Sequence, residues 1–296
     1  MDDTDTISDQ TLLDLNAKGL IPGPGESAAD FMKRAEWCLN LKKALDHPSS
    51  EFGIQPQETA SMYQTVNGML KAKYDFFPGW TPIFFSNDQL KFWHGASAWI
   101  FQQTNLSPTA TIVQLREQFL KSPIYLGIYN RDELLLHEFA HTGRMMFQEP
   151  QFEEILAYRT SFSSFRSWLG PIIQSSAESL FFIMLLMGIC VGDLYLIASG
   201  EINIYTKFFL LKAIPVGFIG YALLRLQHRH RIFKRALKQL NGCLNDSLKA
   251  ESVIYRLTDK EICSIADMDI AEIRAYAETS AQTELRWRLI LKAYFR

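Results

Sequence analysis

His137-Glu138-Phe139-Ala140-His141 is the stretch that organises the reading of this chain. In a helix, positions i and i+4 share one face, so both imidazoles can reach a single metal ion. The carboxylate beside the first histidine then points at the metal's open position, where it can take a proton from water. The flanks predict a helix. Asn130 is a suitable N-cap, Asp132 and Glu133 suit the first turn, and Leu134, Leu135 and Leu136 give an apolar approach. Glu149-Pro150 is expected to stop it, because proline disfavours helical geometry in the residue before it. The same five-residue pattern arises by chance on amphipathic helices, where both histidines are ordinary polar-face residues. Context favours the metal: Leu135, Phe139, Ala140 and Thr142 are uncharged, as a helix lining a cleft requires, and an acidic helical stretch follows at residues 151–158 (QFEEILAY).

A catalytic zinc ion takes three protein ligands and keeps a fourth position for water. Glu153 and Glu154 lie just past the proline, where the chain can reverse and lay a second helix on the first. Glu154 is favoured because Ala157, one turn later, lets the two helices approach closely. Tyr158, four residues beyond Glu154, shares its face. Over residues 137–158 the sequence resembles the gluzincin branch of zinc metallopeptidases, in which HExxH is followed by a glutamate on an E-x-x-A-like helix. The resemblance implies one zinc ion held by His137, His141 and Glu154, with Glu138 as general base and Tyr158 steadying an oxyanion. A tyrosine merely packed on the helix pair is the alternative for Tyr158. Arg144 and Phe147 stand where metzincins carry a glycine and a third histidine. The gap to Glu154 is shorter than in thermolysin-like enzymes, where Ser161 stands nearer the ligand's place, so Glu153 and the more distant Glu178 remain alternatives.

Hydropathy supplies the second strong feature. Residues 180–199 (LFFIMLLMGICVGDLYLIAS) contain one charge, Asp193, and residues 208–224 (FFLLKAIPVGFIGYALL) contain one, Lys212. Each run is about the length that crosses a bilayer as a helix, and the short link near residues 200–207 makes them a hairpin. Buried core helices of a soluble protein are the alternative. Arg225, Arg229, Arg231, Lys234, Arg235 and Lys238 follow the second run, and Arg159 and Arg166 precede the first. By the positive-inside rule both termini and the histidine motif face the cytoplasm. Asp193 and Lys212 are nearly equidistant from the link, which predicts that they pair inside the membrane.

The balance of 30 basic and 32 acidic residues argues against a general nucleic-acid binder. Cys38, Cys190, Cys243 and Cys263 have no metal-ligand spacing and read as reduced thiols, and no secretory leader is expected at the N-terminus. Residues 1–28 are polar, contain Pro22-Gly-Pro-Gly, and are expected to be mobile. Helices are expected at 30–45 and 58–73. Short strands are expected at 81–86, 96–101 and 111–115, resembling the sheet upstream of a zincin helix, whose edge strand can hold an extended peptide. Which of the three is the edge is left open. His94 reads as a structural histidine rather than a cleft residue. Thr258 to Glu261 forms a capping box, and the tail to Tyr294 reads as helical.

The expected fold class is therefore α+β: a flexible segment 1–28, a zincin-like catalytic domain 29–170, a transmembrane hairpin 178–225 and a cytoplasmic helical domain 226–296. The expected activity is that of a membrane-anchored zinc metallopeptidase acting on protein or peptide substrates at the cytoplasmic face of a lipid bilayer. A non-catalytic membrane scaffold with a structural HExxH helix is the alternative. Membrane di-iron oxygenases need more histidine boxes than six histidines provide. A site within the bilayer fits poorly with Arg131, Asp132, Glu133 and Arg144 around the motif.

Overall fold

The computed structural model describes residues 7–45, 60–102, 108–173, 176–200 and 208–295. The chain opens with helix α1 (Asp9–Ala17), capped by the Ser8 hydroxyl, which accepts from the Thr11 amide. Leu12 and Leu15 bury the inner face of α1, and Leu20 and Ile21 are buried just beyond it. Residues 7–28 thus pack onto the core. The Asn16 amide donates to the Tyr294 hydroxyl at 3.2 Å, and Asp9 pairs with Arg288 at 2.7 Å. Polar composition hid a short apolar stripe that needs the far end of the chain as its partner. Helices α2 (Ala28–Leu45) and α3 (Ala60–Tyr74) follow, close to the expected positions, the segment between them lying outside the described residues.

Three strands come next: β1 (Ile83–Phe85), β2 (Ala96–Phe101) and β3 (Ala110–Leu115). They form a sheet in the order β1-β3-β2, with β1 parallel and β2 antiparallel to β3. The central strand β3 is buried on both faces, with Ala110, Val113 and Leu115 fully enclosed. A tight hairpin, β4 (Ile124–Tyr125) and β5 (Tyr129–Asn130), leads directly into helix α4 (Arg131–Gly143), which carries both histidines. The Asn130 side chain caps α4 by accepting from the amides of Asp132 and Glu133.

Helix α4 ends earlier than Glu149-Pro150. A Cβ at Gly143 would come within 2.4 Å of the Tyr255 hydroxyl, so a glycine is needed where this tyrosine crosses the helix end. Gln148 turns the chain at φ +50°, and Pro150 then opens helix α5 (Pro150–Tyr158) at its first turn, where its missing N–H costs nothing. Helix α5 packs against α4, and Ala157 of α5 is buried. A short helix α6 (Ser164–Leu169) joins α5 to the apolar segments.

Helix α7 (Ser176–Ser199), and helix α8 (Ala213–Leu244) together with the 3-10 turn Phe209–Lys212 that leads into it, make two spans, Ala177–Ser199 and Phe209–Leu244, long and apolar enough to cross a membrane. They are stapled at two levels. Glu178 pairs with Arg225 at 2.6 Å near one end, and Asp193 pairs with Lys212 at 2.9 Å near the other. Phe182 stacks on Phe218 between them at 5.5 Å. A Cβ at Gly192 would lie 2.4 Å from the Phe208 ring, so the close approach depends on that glycine.

No break separates the apolar half of α8 from its polar half. Its C-terminal part enters the core and packs against α9 (Ser247–Tyr255), α10 (Asp259–Ile265) and α11 (Ile270–Ser280); α12 (Leu285–Tyr294) closes the chain against α1. One hydrophobic cluster includes Leu12 of α1, Val113 of the sheet, Phe139 of α4, Phe233 of α8 and Trp287 of α12. Residues 226–296 therefore complete the core around the histidine helix instead of forming a domain of their own. Charges spread around the tail concealed this, because several are internal: Arg256 and Arg286 are fully buried, and Arg286 grips Glu261 through both terminal nitrogens at 2.9 Å.

Candidate metal centre

Helix geometry sets His137 and His141 one turn apart on the side of α4 that lines the cleft, and the short turn through Gln148 brings the first turn of α5 opposite them. The two Nε2 atoms lie 3.2 Å apart. Glu154 reaches both, with Oε2 3.6 Å from His137 and Oε1 3.7 Å from His141. Ligand bonds of about 2.0–2.2 Å around a tetrahedral ion put neighbouring donors about 3.3–3.6 Å apart. The two imidazole nitrogens lie near that spacing, each with a different Glu154 oxygen close to it, and the three residues could hold a metal ion.

Glu153 holds the next layer. Its Oε1 lies 3.0 Å from His141 Nδ1, and because a carboxylate only accepts, that ring nitrogen carries the proton. With Nδ1 bound to Glu153, Nε2 is the nitrogen turned toward Glu154, the arrangement usual for a ligating histidine. Glu153 Oε2 accepts from Arg144 Nε at 2.6 Å. The buried Arg144 also donates through Nη1 to the carbonyls of Tyr255 at 2.5 Å and Leu257 at 2.9 Å. Glu178, held by Arg225 at the foot of the apolar hairpin, is not brought to this cluster.

The electrostatics favour a cation. Burial alone lowers His141, but the bond to Glu153 and the charges of Glu154, Glu153 and Glu138 outweigh it and push the group up to about 9. Burial and the nearby charge of His141 hold His137 well below the usual histidine range. Burial raises Glu154. Burial also pushes Glu138 up to about 7, although His141 and the Ala98 amide pull the other way. A carboxyl near neutrality is suited to accept and return a proton.

Glu138 Oε2 accepts from the Ala98 amide at 2.7 Å. This contact locates the sheet. Val113 donates to Pro82 on the β1 side, so its opposite residue Ala98 turns its own N–H away from β3 and toward the histidine helix. Strand β2 is therefore the edge beside the site, with the backbone groups of Ala96, Ala98 and Ile100 facing a cleft of about 890 Å³.

Tyr158 lines the same cleft, its ring 4.6 Å from that of His137 and edge-on to it. A Cβ at Gly170 would lie 2.2 Å from the Tyr158 ring, so that glycine makes room for the tyrosine. Burial, with the charge of Glu154, pushes Tyr158 up to about 12, which keeps it a hydrogen-bond donor. Ser161 and His94 also line the cleft, the latter against the sequence reading. Sequence reasoning placed His137, Glu138, His141 and Glu154 together, and missed the roles of Arg144 and of the Ala98 amide. Arg144 carried a weak signal, a charge one turn past His141 in an otherwise uncharged stretch. The amide carried none. Comparison with family models, with curated proteins and with solved structures gives no match to this chain.

Proposed function

We propose that this chain is a membrane-anchored zinc metallopeptidase that cleaves peptide bonds at the cytoplasmic surface of a bilayer. The observation that carries the reading is the ligand triangle of His137, His141 and Glu154 with the buried Glu138 beside it, below an open sheet edge. Two imidazoles and one carboxylate suit zinc, and a zinc ion held there supplies a Lewis acid that makes a nearby water acidic and polarises a carbonyl.

The chain's own residues do the rest. An extended peptide adds to β2 through the outward backbone groups of Ala96 and Ile100, which aligns its carbonyl over the histidines. Glu138 takes the proton of the attacking water and passes it to the leaving amine. Tyr158 donates its hydroxyl proton in a hydrogen bond to the oxygen that gains charge. Glu153 and Arg144 keep the His141 ring turned to the site. The two apolar helices anchor this unit, and the basic run from Arg225 onward keeps both termini in the cytoplasm.

Elemental analysis of the purified protein tests the reading. Near-stoichiometric zinc in wild type, lost in folded His141→Ala and Glu154→Ala but retained in Glu178→Ala, is the expected result. A folded wild type that takes up no zinc on reloading overturns the peptidase and leaves a membrane scaffold.

A further inference from the structure

We infer that the rim of the cleft beside the first apolar helix lies in the headgroup layer of the bilayer, so the cleft opens at the lipid surface. The inference rests on α7 and α8 being membrane-spanning. It adds that polypeptide reaches the cleft from the membrane surface, as a segment emerging from the bilayer.

The β4–β5 hairpin carries Ile124, Leu126 and Ile128, each more than half exposed. Its turn holds Leu126 at φ +50° and Gly127 at φ +70°. This left-handed pair is the signature of a tight hairpin turn whose first position normally takes Asn or Asp. A leucine there costs about 1–2 kcal/mol of backbone strain relative to an ordinary conformation. It also displays a large apolar side chain at the tip. Asparagine would remove both costs in a protein surrounded by water, whereas lipid offsets the second through burial of the side chain.

Helix α6 continues the same surface. Phe162, Phe165 and Trp168 are exposed on or just before it. Arg166 joins the two pieces, donating through Nη2 to the Ile128 carbonyl at 2.7 Å and through Nη1 to Glu133 at 2.8 Å. Hairpin tip and α6 thus form one apolar rim larger than scattered surface residues explain.

Its position along the apolar helices is fixed by three contacts. The Trp168 ring stacks on His230 of α8, 6.2 Å away, and its carbonyl lies 2.9 Å from His230 Nε2. The Ile172 carbonyl accepts from Arg225, the residue that closes the foot of the hairpin on Glu178. The rim therefore sits level with the end of the apolar spans, where Trp and other amphipathic rings collect at a membrane interface. The exposed Lys121 beside β4 can extend its ammonium to lipid phosphates from that depth. Ile128, Arg166 and Gly170 belong to both rim and cleft, so the mouth of the cleft coincides with this interface.

Tryptophan depth measurement tests the proposal on the full chain. Leu126→Trp, Leu194→Trp and Leu248→Trp each place a ring at a position already exposed, on the hairpin tip, on α7 and on α9 respectively. Leu248 follows the end of α8, about 30 Å along the helix from Arg225. Each protein is reconstituted in vesicles of phosphatidylcholine and phosphatidylglycerol, with acyl chains brominated near the headgroup or unbrominated, and emission is compared with that of wild type. Loss of the added emission at 126 and 194 but not at 248 is the expected result. Loss at 194 alone overturns the rim while leaving the spans intact, and turns attention to a soluble partner protein at the hairpin. Loss at neither 126 nor 194 overturns the membrane reading and the rim with it.

Discussion

Arg144 Nε meets Glu153 Oε2 at 2.6 Å, and the opposite oxygen of the same carboxylate is the one that orients His141. One guanidinium thus connects the His141 ring, through Glu153, to the carbonyls of Tyr255 and Leu257, more than a hundred residues away in sequence. Arg144→Ala leaves Glu153 with His141 alone beside it, a change that costs at most about 3–5 kcal/mol, the loss seen when a buried pair is broken outright. Loss of an orienting group beside a metal ligand lowers affinity about 10–100-fold. Thermal unfolding in detergent and titration against a competing chelator should show both effects. Unchanged zinc affinity in folded Arg144→Ala would sink the positioning role.

Glu138→Gln separates metal binding from proton transfer. The amide keeps the size of the side chain and can still face the Ala98 amide through its oxygen, but it cannot accept the water proton. Zinc content and melting temperature should stay near wild type while peptide cleavage falls about 10²–10⁴-fold. Once a substrate is found, full cleavage by this variant would reassign the base.

The Asp193–Lys212 pair sets up a charge-swap experiment. Reversing either residue alone puts two like charges side by side among apolar helices, and each single variant should insert or fold poorly. The double variant Asp193→Lys with Lys212→Asp should recover most of the lost folded yield, read by size-exclusion chromatography of solubilised membranes. Failure of the double variant to exceed either single one would show that the pair is not what matters at that depth.

Acid should weaken the C-terminal core through Glu261. Burial raises this carboxyl, but its bonds to Arg286, the Thr258 amide and the Trp287 indole outweigh burial and hold it below its ordinary 4.5. The unfolded state then binds more protons than the folded state between the two values. The stabilisation is complete above about 4.5 and is lost as pH falls through the folded value. A Glu261→Gln variant should be less stable at neutral pH and should show a shallower loss of stability on acidification. An identical acid limb in both proteins would place the sensitivity elsewhere.

The histidine helix was legible because its information is local. A cap at Asn130, a spacing of four and an acidic second helix just past a proline point to His137, His141 and Glu154 without reference to distant chain. Strand β2 was readable for the same reason, as a short run bounded by turn residues. The end of α4 was not, because Gly143 answers to Tyr255, which no window around the motif contains. Residues 7–28 and the tail were misread in complementary ways. Each looks polar alone, and each becomes core only against the other, through contacts such as Asn16 with Arg256 at 2.8 Å. Ionic groups such as Arg256 and Arg286 read as solvent-facing until their partners are in place.

The span of the Arg144 contacts bears on the order in which the protein is made. The histidines and Glu153 leave the ribosome before both apolar helices, whereas the carbonyls of Tyr255 and Leu257 that hold Arg144 leave after them. A nascent chain therefore carries its ligands long before it carries the support that aligns them. Assembly of the cluster waits for both apolar helices to be synthesised, so its final geometry is reached only after the whole hairpin has been made.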